Sequence, residues 1–142
     1  MSDITPITSG FECEFLVEGS DLAGEMSVSQ DKILTMVFSG PDIINGTSIC
    51  INGEVVTVEV QGVTEKYARS TVPKSSPALC IYDALISAES IAPSVKNDII
   101  YIEGDSQSGS FSATLNGTGF ITEINLYDSA TTVIFKNPYM IG

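Results

Sequence analysis

Histidine is absent from this chain, and six of its 142 residues are Lys or Arg. Without histidine there is no side chain that changes charge near neutral pH at its ordinary pKa. There is also no Ser-His or Cys-His nucleophile pair, and most zinc and iron ligand sets are excluded. Cysteine occurs three times, as Cys13, Cys50 and Cys80. An odd number at wide, irregular spacing is neither a disulfide framework nor a zinc pattern. No apolar run reaches the roughly 18 residues of a membrane-spanning helix. Gly-Lys-Ser/Thr and Gly-x-Gly-x-x-Gly are both missing, so the sequence implies no nucleotide cofactor, and it implies no metal. Residues 1–10 lack a basic start followed by an apolar run and do not read as a signal peptide.

The cations Lys32, Lys66, Arg69, Lys74, Lys96 and Lys136 are scattered and stand against eighteen acids, giving a formal charge of -12. Displacing counterions from phosphates needs clustered cations. Nucleic acid and anionic membrane surfaces are therefore poor partners, no nucleic-acid binding is expected, and the acidity reads as serving solubility.

What the chain does have is apolar content, 43% of it, and the length of one domain. A chain of this size buries roughly 70% of its unfolded surface, enough for a core without metal or disulfide support. We expect a single domain over residues 1–142, with 1–10 as a flexible tail.

The dominant pattern has period two and is punctuated by Gly, Asn and Asp. Phe11, Cys13, Phe15 and Val17 alternate with Glu12, Glu14, Leu16 and Glu18; Leu22, Gly24, Met26 and Val28 follow the same pattern. A turn at Gly19-Ser20 pairs Val17 with Leu22, Phe15 with Gly24 and Cys13 with Met26, so the apolar faces coincide. A third strand over 32–38 is apolar on both faces. Asn52-Gly53 reads as a type I′ hairpin turn. It opposes Ile51 to Glu54, Ile49 to Val56 and Thr47 to Val58, and it gathers Ile49, Ile51, Val56 and Val58 on one face. Asn116-Gly117 reads the same way and places Phe111, Ala113 and Leu115 with Thr118, Phe120 and Thr122. Ser112 and Thr114 then share the other face with Gly119 and Ile121. Strands over 99–103 and 131–136 bring the total to about nine.

The middle differs. Ser76-Pro77 is an N-cap followed by proline at the first helical position, and 78–89 has helical period. Ser76, Cys80, Asp83, Ser87 and Ser90 form a polar stripe; Leu79, Ile81, Tyr82, Leu85, Ile86 and Ala88 form an apolar arc. That arc is wider than one sheet contact requires, so the helix should be buried on most sides.

Chemistry-bearing clusters are few. Glu12 and Glu14 share a strand face beside Glu18. Paired carboxylates serve as acid and base when burial splits their pKa values, but here they read as a solvated outer face. Cys13 points the other way, among Phe11, Phe15 and Met26, as a small core hydrophobe. Cys50 lies on the less apolar face of its strand and Cys80 on the helical stripe, so three thiols and no disulfide are expected. Glu103, Asp105 and Ser106 lack the alternation of a dedicated calcium loop and read as an ordinary turn. Asn45-Gly46-Thr47 and Asn116-Gly117-Thr118 match the short N-glycosylation pattern, yet Asn-Gly is accounted for by turn chemistry.

The order of features resembles a family. Residues 38–63 run Phe-Ser-Gly-Pro-Asp-Ile-Ile-Asn-Gly, a hairpin, then Val-Thr-Val-Glu-Val-Gln-Gly-Val. Pro73, Ser75-Ser76-Pro77 and the helix Ile81-Tyr82-Asp83-Ala84-Leu85 follow, and the last strand ends in Phe135-Lys136-Asn137-Pro138. Over residues 11–137 this is similar to the LolA/LolB-like lipoprotein-carrier superfamily, in particular the small lipoprotein-type domains of Gram-positive bacteria. The resemblance implies a mainly β (α+β) fold: a curved antiparallel sheet or unclosed barrel with one central helix on its concave face. It also implies an extracytoplasmic domain of the cell envelope, lipid-anchored if an export segment was removed and otherwise cytoplasmic; since no site supports catalysis, a non-enzymatic protein is expected. The arginine and exposed-leucine features of the carriers have no counterpart here, nor does an acylated cysteine at the start.

Three functions stay open. In the first, a sheet-and-helix cavity lined by Tyr82, Leu85, Ile86, Phe111 and Phe120 binds a lipid or other apolar or amphipathic ligand, with the Tyr82 hydroxyl at its polar end. The second is a cell-surface module with a self-filled core that acts through protein partners. The third is a carboxylate-based enzyme, which would need two inward-facing carboxylates.

Overall fold

The computed structural model describes residues 6–73 and 76–141. Six strands come first: β1 (Phe11–Val17), β2 (Ala23–Val28), β3 (Leu34–Gly40), β4 (Ser48–Asn52), β5 (Val55–Val60) and β6 (Val63–Ala68). The helix α1 (Pro77–Ala88) follows, then β7 (Ser94–Lys96), β8 (Ile99–Ser106), β9 (Gly109–Leu115), β10 (Ile121–Leu126) and β11 (Thr131–Met140). All eleven strands join one sheet in the order β6-β5-β4-β3-β2-β1-β11-β10-β9-β8-β7, antiparallel throughout. The sheet does not close. Its curvature follows from what α1 touches: β8, β9 and β10 on one flank and β4 on the other. Those strands stand far apart in the sheet order, so the sheet wraps around the helix, which lies on the concave face.

Alternation builds the core. Phe11, Cys13, Phe15 and Val17 are buried on β1, as are Met26 and Val28 on β2 and Leu34, Met36 and Phe38 on β3. The helix meets them with Leu79, Ile81, Ala84, Leu85 and Ala88. Alanines at 84 and 88, both fully enclosed, let the helix backbone approach the sheet closely. Each large side chain buried here contributes about 1.5–3 kcal/mol. The first hairpin has the expected register, with Cys13 opposite Met26 and Phe15 opposite Gly24. Gly24 sits where the β2–β3 register shifts. A Cβ there would stand 2.1 Å from the Val37 carbonyl oxygen, so only glycine allows the strands to approach at that point.

Two expected turns are placed differently. Asn52 pairs with Val55 and Ile51 with Val56, so the loop residues are Gly53 and Glu54. The pairing slips by two residues, which returns every side chain to the same face, and Ile49, Ile51, Val56 and Val58 do share one. Gly53 has φ 61° whereas Glu54, the second loop residue, stays outside the left-handed region, so the turn is not of type I′. At the second site Leu115 pairs with Ile121 and Ala113 with Ile124. Residues 116–119 form a wider loop held by the Asn116 side chain, whose Oδ1 accepts the Thr118 and Phe120 amides at 3.0 and 3.1 Å. A bulge follows between Ile121 and Glu123, and Ile121 turns inward with Ile124 and Leu126. Gly119, at φ 94°, takes the left-handed position expected of Gly117.

The strand count exceeds nine because β6 and β7 were not visible in the pattern. Both are exposed along their whole length, so neither alternates. Both are positioned by two-residue loops, Gln61-Gly62 and Asn97-Asp98, in which each residue has positive φ, the type I′ requirement. Of the tail expected over residues 1–10, residues 1–5 lie outside the described residues; residues 6–10 lie against the sheet. Ile7 bridges Phe120, Thr8 is buried, and the Gly10 amide donates to the Val28 carbonyl at 2.6 Å.

Two predictions follow from these placements. Gly119→Val should lower the urea midpoint by the equivalent of about 1–2 kcal/mol, the cost of a left-handed β-branched residue. Gly117→Val, with open space around the added Cβ, should cost clearly less; the reverse order would contradict the loop geometry. Burial, reinforced by the charges of Glu14 and Glu12, pushes the Cys13 thiol up from 9.0 to about 12. The buried thiol therefore favours the folded state fully below pH 9.0 and loses that effect as the pH rises towards 12. Cys13→Ala should show a shallower alkaline decline in stability over this window than the parent protein; equal slopes would show that the thiol contributes nothing.

Candidate functional site

On the β5–β6 hairpin, Val56 faces Tyr67, Val58 faces Glu65 and Val60 faces Val63. Paired residues share a face, and this is the concave one, because Val56 is buried in the core. The helix begins only at Pro77 and covers the β4 side of this face. Beyond it lies an apolar cleft of about 300 Å³. Ile49, Ile51, Val56 and Val58 form its floor, Ala78 and Leu79 its helical wall, and Thr71, Val72 and Pro73 its rim. An adjoining hollow of about 250 Å³ shares Val58 and Tyr67 and adds Val60, Val63 and Glu65. Val60 and Val63 are 46% and 63% exposed. The two hollows meet at Val58 and Tyr67 and together make a trough from the helix to the sheet edge. The Tyr67 hydroxyl donates to Glu65 Oε2 at 2.6 Å. That bond, with the Glu65 charge, pushes the phenol pKa above its ordinary value.

The rim of the cleft is fixed by a polar cluster. Arg69, in the single turn Arg69–Thr71 after β6, pairs through Nη2 with Asp83 Oδ2 on α1. The same carboxylate oxygen accepts the hydroxyl of Ser108, in the turn between β8 and β9. Asp83 is 5% exposed. The Arg69 backbone amide donates to the Glu54 carbonyl at 2.7 Å. The hydrogen bond to Asp83 is the main reason that the guanidinium pKa is raised, although burial opposes it. A hollow of about 410 Å³ beside Arg69 is walled by Glu54, Ser70 and Gln107, and it shares Val72 and Leu79 with the apolar cleft. Cys80 is buried near this cluster. Burial pushes its thiol up, a hydrogen bond with Ser108 partly offsets this, and the charges of Asp83 and Asp128 raise it further. A thiol held protonated in this way is not an activated nucleophile.

The expected polar stripe on the helix is thus turned inward at Cys80 and Asp83. The Arg69–Asp83 pair had a signal in the sequence: Arg69 is the one arginine of the chain, and Asp83 is the one acid within α1. An acid on an otherwise apolar buried helix demands a partner.

The five residues expected to line a cavity are placed as follows. Leu85 and Phe111 are buried in the core. Phe120 is half-buried and meets Phe11 edge-on at 6.2 Å. The Tyr82 hydroxyl accepts the Gly53 amide at 3.1 Å, and Ile86 is half-buried. The walls of the apolar cleft are the other residues named above. Glu12 and Glu14 lie on the convex face, where Glu12 accepts the Tyr139 hydroxyl at 2.9 Å and Glu14 the Asn137 amide at 2.6 Å. Among the described residues, no three His, Cys, Asp or Glu side chains are grouped to hold a metal ion.

No protein-family model matches the chain, and no curated protein matches it. Solved structures do. A LolA superfamily protein from Nitrosomonas europaea superposes with a TM-score of 0.55 at 10% identity, covering 99% of this chain and 90% of the other. An uncharacterised conserved protein from Thermus thermophilus superposes at 0.58 and 7% identity, covering 96% of this chain and 81% of that one. The fold is LolA-like.

The Arg69–Asp83 pair supplies a test of the rim. Arg69→Ala leaves a carboxylate buried without its cation, which should cost about 3 kcal/mol in urea unfolding. Arg69→Met combined with Asp83→Leu removes both charges and should recover most of that loss. A single variant as stable as the parent would show that Asp83 is not held by Arg69.

Proposed function

We propose that this domain is a non-enzymatic binding module that takes the apolar part of an amphipathic ligand into the cleft between β4–β6 and the start of α1. The observation that carries the reading is the cleft itself. Apolar side chains from β4, β5 and the helix line about 300 Å³ of accessible space on the concave side of the sheet, the lower end of the range for small-molecule sites. Exposed valines continue its surface to the sheet edge, where an isolated monomer gains nothing from them. The LolA-like fold supports the reading by analogy, because lipoprotein carriers present an apolar surface within the same half-barrel, and with it an extracytoplasmic location. Fold alone does not fix function.

In this reading Tyr82, Leu85, Ile86, Phe111 and Phe120 support the helix and do not form the ligand's walls. Leu85 and Phe111 fix the helix against the sheet, and Tyr82 ties it to the β4–β5 turn. Among the described residues, no pair of carboxylates faces inward to favour the enzyme alternative.

An apolar fluorescent dye tests the proposal. The folded parent should bind it saturably. Val58→Trp, which fills the floor where the two hollows meet, should abolish binding while circular dichroism remains that of the parent. Should Val58→Trp fail to fold, Thr71→Trp on the exposed rim should weaken binding instead. No saturable binding by the parent would overturn the cleft reading and leave the surface-interaction module.

A further inference from the structure

The trough has a chemical polarity. Its inner end is apolar: Ile51, Val56, Ala78 and Leu79. Its outer end carries a carboxylate. Among the described residues that line the two hollows, Glu65 is the one with a formal charge; Arg69 and Glu54 line the third, which shares Val72 and Leu79, and the Arg69 guanidinium there is paired with Asp83. It faces Val58, the residue common to both hollows, so a group held at Glu65 places an attached chain over Val58 towards Leu79. A carboxylate offers about four acceptor positions, and the Tyr67 hydroxyl takes one, on Oε2. Acceptor capacity remains for a cation. The neighbouring Lys66 cannot neutralise the site from its own strand position, because alternation sends it to the convex face. The protein's net charge of -12 acts in the same direction at longer range.

We propose that Glu65 makes the trough selective for amphiphiles with a cationic head, of the long-chain alkylammonium type, over fatty-acid-like anions. The selection rests on the cleft reading above, and it adds the charge of the head group. Attraction of a cation and repulsion of an anion at one exposed carboxylate should together separate the two classes by about tenfold in Kd.

The experiment uses three probes that share one alkyl chain: dodecyltrimethylammonium, dodecanoate and the uncharged dodecyl maltoside. Each competes with an apolar dye below its micellar concentration. The parent should bind the ammonium about tenfold more tightly than the carboxylate, with the uncharged probe between them. Glu65→Gln should compress that ratio to near unity and leave the uncharged probe unchanged. Glu59→Gln removes the same charge from β5 on the opposite face, where Glu59 pairs with Thr64. It should keep the preference, which separates a site effect from net charge. If the uncharged probe binds but the head-group preference is missing, or responds equally to both variants, the proposal fails and the cleft reading stands. If no probe binds, both fail.

Discussion

The buried ion pair between Arg69 and Asp83, with Ser108 on the same carboxylate oxygen, joins three parts of the chain that the sheet leaves apart. Arg69 follows β6, one edge of the sheet; Ser108 caps the β8–β9 hairpin near the other edge; Asp83 lies on the helix between them. No ladder hydrogen bonds connect those edges, so the half-barrel depends on the helix and on this cluster to hold its curvature. Apolar packing is non-directional. It holds the helix inside the sheet without fixing which residue of the connector lies over which turn. A carboxylate in an apolar interior is tolerated only in the arrangement that satisfies it. The cluster therefore sets the position of the Arg69–Thr71 turn, and that turn with Val72 and Pro73 forms the rim of the cleft. Stability and the shape of the candidate site come from the same contact.

How much of this was legible follows the local physics. The β1–β2 hairpin could be read in register because its two strands carry strict alternation and a short turn. The helix could be bounded because Ser76-Pro77 marks its start. The faces of β4 and β5 were right although their pairing was not, since a slip of two residues leaves the inward set unchanged. Asn116 misled because its side chain has two roles. In a type I′ turn it would occupy a left-handed position; here its oxygen instead organises a wider loop, and the left-handed residue is Gly119. Strands β6 and β7 were invisible because hydrophobic periodicity reports burial, and edge strands with both faces exposed have none. Their turns, Gln61-Gly62 and Asn97-Asp98, were the available signal.

The site was less legible than the fold for a related reason. Wide apolar arcs and aromatic residues mark what is buried, and Leu85 and Phe111 are indeed buried. A cleft arises where packing stops, at the end of the helix and along a strand that carries no periodic pattern. The cleft residues Ile49, Val58 and Val72 belong to the partly buried border of the core. Composition could place them on the correct face but could not show that the helix ends before covering them. Tertiary geometry decides that, through the length of α1 and the position of the Arg69–Thr71 turn.

The exposed edge strands also bear on how the molecule behaves among copies of itself. An open sheet edge presents unpaired amides and carbonyls to any passing strand. The outermost strands are short, six residues in β6 and three in β7, and each carries a lysine, Lys66 or Lys96. Two of the chain's six cations are thus placed on the strands most open to intermolecular pairing, in a protein whose remaining surface is mostly anionic. A strand docking on either edge from another copy would have to accommodate a lysine side chain beside the new ladder, while the two anionic bodies repel one another. The two edges of the unclosed sheet thus carry charges that oppose pairing with a strand of another copy.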